Sequence, residues 1–131
     1  MKVYGIGIDI INILRLKNKI IRNNNIKKRV FSPTEIKYCE KKIKTKYLCY
    51  SKRFAAKEAF SKSLGTGISD GISFKEIIVT NDKSGKPKLK LVGKTLKIVN
   101  KLFKNKKYKF SISLSDDKPI AIAIVLALYE K

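Results

Sequence analysis

The chain opens on a strict alternation. Over residues 3–10, Tyr4, Ile6, Ile8 and Ile10 point one way and Val3, Gly5, Gly7 and Asp9 the other, the two-residue period of a β-strand. A strand interior avoids glycine unless something approaches the backbone closely, so the glycines leave open space beside Asp9. Asn12 is placed to cap a helix over about 13–23, on which Arg15, Lys19 and Arg22 share one face. Asn23-Asn24-Asn25 breaks that pattern. Ser32-Pro33-Thr34-Glu35 is a capping box with proline at the first helical position, and the helix it starts is predicted to bury Ile36, Cys39 and Ile43. A third helix is predicted over about 48–64, stopping at Gly65.

In the second half, residues 74–80 read as a strand, 81–87 as a turn and 88–92 as a returning strand. Leu96, Val99, Leu102 and Phe103 give a short amphipathic helix over 94–104. Phe110, Ile112 and Leu114 alternate with Ser111, Ser113 and Ser115. Asp116-Asp117-Lys118-Pro119 turns the chain into an apolar last strand, 120–129. The order β-α-α-α-β-β-α-β-β predicts one α+β domain over 1–131, a mainly antiparallel sheet packed with helices. There is no internal repeat and no linker.

Charge changes this picture. The 131 residues carry 31 Lys and Arg against 10 Asp and Glu, a net charge of +21. That excess fits a polyanionic partner: nucleic acid, an acidic protein or a phosphorylated substrate. It also fits codon bias, since Lys, Ile and Asn all have AT-rich codons and the basic residues spread over nearly every segment. Only their placement is therefore informative. With no histidine and two scattered cysteines, Cys39 and Cys49, the chain lacks the donors of a zinc site. The two cysteines make no disulfide framework and no CxxC spacing. No apolar run reaches the roughly 18–20 residues of a membrane span. The first residues read as a strand rather than a signal peptide, and a reducing cytoplasm is the expected setting.

The candidate chemistry starts from Asp9 and Glu58. Hard cations such as Mg²⁺ take carboxylate oxygens and share their shell with phosphates and water. One acid from a strand and one from a helix would serve; the plainer alternative is an acid paired with a nearby lysine. Phe54, Glu58, Lys62 and Gly65 fall on one stripe of the third helix, and Ala55, Ala56 and Ala59 allow close packing. Lys62 is either a surface partner of Glu58 or a phosphate-binding ammonium beside a metal ligand. The turn Gly65-Thr66-Gly67 is either a helix stop or a set of N–H groups for a phosphate. The Gly85-Lys86-Pro87 turn alone reads as a hairpin, and the Arg15/Lys19/Arg22 stripe as a solvated face or a docking surface.

Taken together these segments resemble the holo-acyl-carrier-protein synthases, the small bacterial type of 4′-phosphopantetheinyl transferase. The family's opening strand stands here as Gly5-Ile6-Gly7-Ile8-Asp9-Ile10. Its long central motif matches Arg53 through Gly67, with Ser63 where alanine is common. Its Asn-Asp-x-x-Gly-Lys-Pro turn matches Asn81, Asp82, Gly85, Lys86 and Pro87, and its Ser-Leu-Ser matches Ser113-Leu114-Ser115. The likeness runs through the whole chain in the family's order.

The resemblance implies transfer of the phosphopantetheine arm of coenzyme A to a serine of apo-acyl carrier protein, for fatty acid biosynthesis, releasing adenosine 3′,5′-bisphosphate. It implies Mg²⁺ on Asp9 and Glu58. Coenzyme A would lie against Arg53, Lys62, Gly65, Thr66, Gly67, Lys86 and Pro87. The acidic carrier protein would dock on Arg15, Lys19 and Arg22, and the assembly would be a homotrimer with sites between subunits. Many relatives have histidine after Ser-Leu-Ser, where this chain has Asp116; Asp116 is thus a candidate to accept a proton, or only a turn residue. Two other readings stay open: a basic nucleic-acid-binding or ribosome-associated protein, and an inactive relative. The aromatics in apolar alternation and the lack of an RNA-binding motif count against the nucleic-acid reading.

Overall fold

The opening alternation becomes β1 (Lys2–Asn12), which pairs antiparallel with β5 (Ile120–Tyr129). The other edge of β5 pairs antiparallel with β4 (Tyr108–Asp117), so this sheet has the order β1-β5-β4. The computed structural model describes residues 1–65 and 71–131. A second, two-stranded sheet is the hairpin of β2 (Ile77–Asn81) and β3 (Pro87–Leu91), preceded by a 3-10 turn at Phe74–Glu76. The helices are α1 (Ile13–Arg22), α2 (Asn24–Val30), α3 (Pro33–Glu40), α4 (Lys46–Ser63) and α5 (Gly93–Leu102).

The α+β class and the antiparallel pairing are as expected from the sequence; in the second half Phe74–Glu76 is a 3-10 turn rather than strand and Asp116 and Asp117 extend β4, and the first half differs in three places. The asparagine run does not leave a loop: Asn23 caps α2, its side chain accepting from the Asn25 N–H at 3.0 Å. Four helices, not three, therefore separate β1 from β2. Helix α3 stops at Glu40, so Ile43 is 89 % exposed rather than buried. And β1 carries a bulge between Val3 and Gly5, which turns the Tyr4 ring edge-on to Phe103 and Tyr129, away from the isoleucine row.

Helix α4 is the spine. Its buried residues Ala55, Ala56 and Ala59 lie against the sheet. A Cβ added to Gly7 would overlap the carbonyl oxygen of Ala59, and one on Gly5 would overlap that of Ser63. The glycines of the opening strand are thus the seats of a helix backbone. The α4 face of the sheet is lined by Ala121, Ala123, Val125 and Ala127 from β5 and Ile112 from β4, all buried.

A buried ion pair fixes α4 from its other side. The Lys57 ammonium, fully buried, donates to Glu35 Oε1 at 2.8 Å, to the Phe74 carbonyl at 2.8 Å and to the Ile77 carbonyl. Glu35 also accepts from the Ser32 and Val79 N–H groups. The capping box predicted for α3 is present, and its glutamate serves the core as well. Burial pushes the Lys57 pKa down and the Glu35 charge opposes that. Removing one partner would strand the other charge without water.

The opposite face of the three-stranded sheet is bare. Ile6, Ile8 and Ile10 are each about three-fifths exposed, and Ile124 sits opposite Ile8 with more than a third of its surface exposed. The expected outcome of Gly7→Ala is a loss of about 1–3 kcal/mol, the usual cost of forcing a methyl into filled space. Urea unfolding measures it, and an unchanged midpoint would show that α4 does not rest on this glycine.

Candidate active site

Asp9 lies on the α4 face of β1, in register with Ala123 of β5 and, through it, with Leu114 of β4. The small side chain of Ala123 and the glycine-seated helix bring the polar stripe of α4 over it. Lys62 Nζ donates to Asp9 Oδ1 at 3.1 Å and to the Ile8 carbonyl at 3.1 Å. So the lysine bonds Asp9 rather than only pairing with Glu58 one turn away on its own helix. Asp9 Oδ2 is buried and has no hydrogen-bond partner among the described residues. A buried carboxylate oxygen without a donor is costly unless something else supplies positive charge.

Glu58, half-buried on the same stripe, completes the arrangement. Burial raises its pKa above the ordinary 4.5, the Asp9 charge raises it further, and Lys62 acts the other way. One ammonium, bonded to Asp9, lies close enough to Glu58 to act on its charge, and the second Asp9 oxygen is buried beside them. An all-oxygen donor set of this kind suits a small hard cation that keeps waters and substrate phosphates for its other positions. Among the described residues no cluster of three or more acidic, cysteine or histidine side chains exists, so the protein alone would supply an incomplete shell. Gly65 follows α4 at φ +84, where glycine is favoured, and its N–H donates to the Lys62 carbonyl at 3.0 Å. Thr66 and Gly67 lie outside the described residues.

A second group of predicted residues gathers at a separate cleft of about 310 Å³. Arg53, 5 % exposed, donates from Nη2 to Asn81 Oδ1 at 2.8 Å and from Nη1 to Cys49 Sγ at 3.4 Å. Its guanidinium lies 4.4 Å from the centre of the Tyr38 ring, an attractive stacking geometry. Among the described residues its Nε has no partner and it makes no ion pair. Burial lowers its pKa; Glu35 and Tyr38 oppose that. Lys42, Lys52 and Pro87 also line this cleft, so its walls are cationic, with no acid among its described lining residues. Asn81 Nδ2 donates to the Gly85 carbonyl, which ties Arg53 to the hairpin turn. Asp82 shapes that turn by accepting from the Ser84 hydroxyl and from the Ser84 and Lys86 N–H groups. The Lys86 side chain is exposed.

Asp116 is not a turn residue. It belongs to β4, in register with Ala121, and is paired with Lys52 at 2.5 Å. It stands two residues along from the row of Asp9, on the same face. On α1, Arg15, Lys19 and Arg22 are exposed as predicted. Leu14 and Ile21, which pattern reasoning did not single out, are exposed with them at 58 % and 59 %. Tyr38, Lys42 and Lys52 were also missed. No spacing marks them, because they reach the cleft only when α3 folds back on α4. Asn81 was visible as the first residue of the Asn-Asp-x-x-Gly-Lys-Pro turn.

The two cysteines correct the sequence reading. Cys39 of α3 and Cys49 of α4 are joined by a disulfide, with Cα atoms 5.5 Å apart. Among the described residues no helix is long and apolar enough to cross a membrane.

The raised pKa of Glu58 has a stability consequence. Above that pKa its ionisation costs the folded state, and the cost disappears as pH falls to the unfolded glutamate range. Without added metal, Glu58→Gln is therefore expected to melt higher than the parent chain at pH 7 and to lose that advantage on acidification. Thermal melts across pH read this directly; a variant that melts lower at pH 7 would contradict it.

Comparison with known proteins identifies the family. A family model described as the 4'-phosphopantetheinyl transferase superfamily matches residues 5–125. A holo-[acyl-carrier-protein] synthase of Pelagibacter ubique is 49 % identical over 126 residues, covering 96 % of this chain and 97 % of that protein. The crystal structure of the holo-[acyl-carrier-protein] synthase of Neisseria meningitidis superposes with a TM-score of 0.85 at 31 % identity, covering 99 % of this chain and 100 % of the other. That of Bacillus anthracis, in complex with CoA (3',5'-ADP), gives 0.78 at 32 % identity, covering 98 % of each. The nucleic-acid reading of the basic charge gives way to this relationship. The chain belongs to the holo-[acyl-carrier-protein] synthases of the 4'-phosphopantetheinyl transferase superfamily.

Proposed function

We propose that this protein transfers the phosphopantetheine arm of coenzyme A to a serine hydroxyl of apo-acyl carrier protein. The observation that carries the site assignment is the orphaned Asp9 Oδ2 beside Glu58 and Lys62. Asp9 and Glu58 would hold Mg²⁺, which when bound supplies charge neutralisation to a pyrophosphate. Lys62, 55 % exposed at its side chain, swings from Asp9 to a phosphate oxygen and holds it through the transfer. Gly65, whose own N–H is taken by the Lys62 carbonyl, leads into Thr66 and Gly67, and this stretch of chain is the remaining candidate contact for the same phosphates.

The Arg53 cleft takes the phosphorylated nucleoside end, with Lys86 and Pro87 at its hairpin rim. A phosphate there gives Arg53 the counter-ion that it does not have among the described residues, and competes with Asp116 for Lys52. Asp116, released from Lys52, is then the candidate acceptor of the serine proton, a role that needs a free carboxylate near the hydroxyl. Arg15, Lys19 and Arg22 steer an acidic carrier protein, and Leu14 and Ile21 give it apolar contact. Such steering weakens with salt. The bare isoleucine face of β1 and β5 is best covered by further copies of this chain, in a homotrimer that brings cleft and metal site of neighbouring copies together. A cytoplasmic setting, where coenzyme A and carrier protein meet, fits this chemistry.

Intact-mass analysis of apo-acyl carrier protein incubated with this protein, coenzyme A and Mg²⁺ is expected to show a gain of one phosphopantetheine group, abolished by EDTA. Glu58→Gln is expected to lose about 10²-fold or more in rate, the scale of removing an electrostatic stabiliser. Asp116→Asn is expected to slow turnover and change its pH profile. Unchanged turnover across pH removes Asp116 as the proton acceptor, and no mass gain from folded parent protein overturns the activity.

Ile8→Asp is expected to convert the assembly to monomer in light scattering. A parent protein that is itself monomeric overturns the assembly reading.

A further inference from the structure

The Cys39–Cys49 bond sits where the cationic cleft is built. Cys39 is fully buried at the end of α3, next in sequence to Tyr38, whose ring lies on the Arg53 guanidinium. Cys49 is 6 % exposed, lines the cleft, and accepts a hydrogen bond from Arg53 one helical turn further along α4. One covalent bond therefore ties the two elements that carry the two halves of the Tyr38–Arg53 stack. Between them the chain runs through an exposed lysine-rich loop, residues 41–45, and the neighbouring tie is polar: Glu40 accepts from the Tyr50 hydroxyl at 2.6 Å and pairs with Lys46 at 3.6 Å.

The geometry points to Cys39–Cys49 as a reversible thiol–disulfide site that sets how tightly the Arg53 cleft holds a phosphorylated ligand. A low-molecular-weight thiol enters by the cleft as its thiolate and attacks Cys49 Sγ. The protein S–S bond breaks, Cys39 leaves with the electron pair and takes up a proton, and Cys49 is held in a mixed disulfide. A second thiolate attacks the small-molecule sulfur; Cys49 leaves as a thiolate beside the Arg53 guanidinium, which stabilises it, and then protonates. Two small thiols are oxidised to one disulfide and the protein gains two thiols. In the reverse direction the guanidinium keeps Cys49 nucleophilic. Disulfides of cytosolic proteins, where they occur, are typically transient or redox-sensing.

The effect on binding follows from preorganisation. In the bonded form Tyr38 is held on Arg53, and the guanidinium meets a ligand already oriented. In the dithiol form the end of α3 is held to α4 by the Glu40 contacts without the covalent bond, Tyr38 leaves Arg53 part of the time, and ordering it again weakens binding. The oxidised protein is the tighter binder. The ligand class, a nucleoside carrying phosphate, rests on the function proposed above.

The test uses adenosine 3′,5′-bisphosphate, a probe without a thiol, in calorimetry with the full chain. Protein is compared as prepared under air and after reduction by a phosphine that is not itself a thiol. Intact mass with thiol alkylation records the redox state. Binding is expected to weaken about fivefold or more on reduction, the scale of losing one ordered side chain from a preformed site. Cys39→Ser is expected to bind like the reduced parent under both conditions. Equal affinity in both states overturns the switch and leaves the cleft assignment standing. Free thiols in the air-oxidised protein overturn it as well. No binding in either state overturns the cleft assignment and the switch together.

Discussion

Everything at the candidate site depends on one close approach, the backbone of α4 seated on the glycines of β1. A side chain at Gly5 or Gly7 would strike the carbonyls of Ser63 or Ala59. Because none is there, α4 lies low across the sheet and its polar stripe comes within reach of Asp9. The helix is held from the far side by Lys57, whose ammonium gathers Glu35 and two carbonyls near the start of β2. The glycines set the height of α4, and the lysine links it to α3 and the hairpin. Neither residue touches the proposed substrates, yet the distance between Lys62 and Asp9 follows from both.

Placement, more than total charge, gives the basic residues meaning. Most lysines are exposed and scattered. A few are held by specific partners: Lys62 by Asp9, Lys52 by Asp116, and Lys57 by Glu35. The first two hold mobile ammonium groups against acids that an incoming phosphate can replace, so the ligand-free site keeps its own temporary counter-ions. The third is sealed in the core and exchanges with nothing. Arg53 differs from all three: it is buried, feels the Glu35 charge only at a distance and makes no ion pair among the described residues, so it has much to gain from an anionic ligand.

Much of the fold was legible in the sequence because its signals are local. The β1 alternation, the Ser32–Glu35 capping box and the Gly65 stop are all read within a few residues, and they appear where expected. What pattern could not give was long-range. Asn23 reads as a breaker but caps α2, because an asparagine side chain serves a helix start as readily as a loop. Ile43 reads as a helical core position, but α3 ends before reaching it. Of the candidate site, Asp9, Glu58, Lys62 and Arg53 were visible as motif members. Tyr38 and Lys52 were not, since their roles come from how α3 and β4 pack around α4. The cysteine pairing was hidden for the same reason: a ten-residue spacing says nothing until the two helices meet.

Strand β1 has no idle face. From Gly5 onward its odd positions carry the helix seats and Asp9, while its even positions carry the exposed Ile6, Ile8 and Ile10. A one-residue insertion here would exchange the two sets, putting isoleucines under α4 and glycines on the open surface. Substitution is constrained at every step and length change at all of them. Over evolutionary time this strand should therefore drift more slowly than its edge position suggests, with lineages exchanging one branched aliphatic residue for another on the open side and hardly varying on the other.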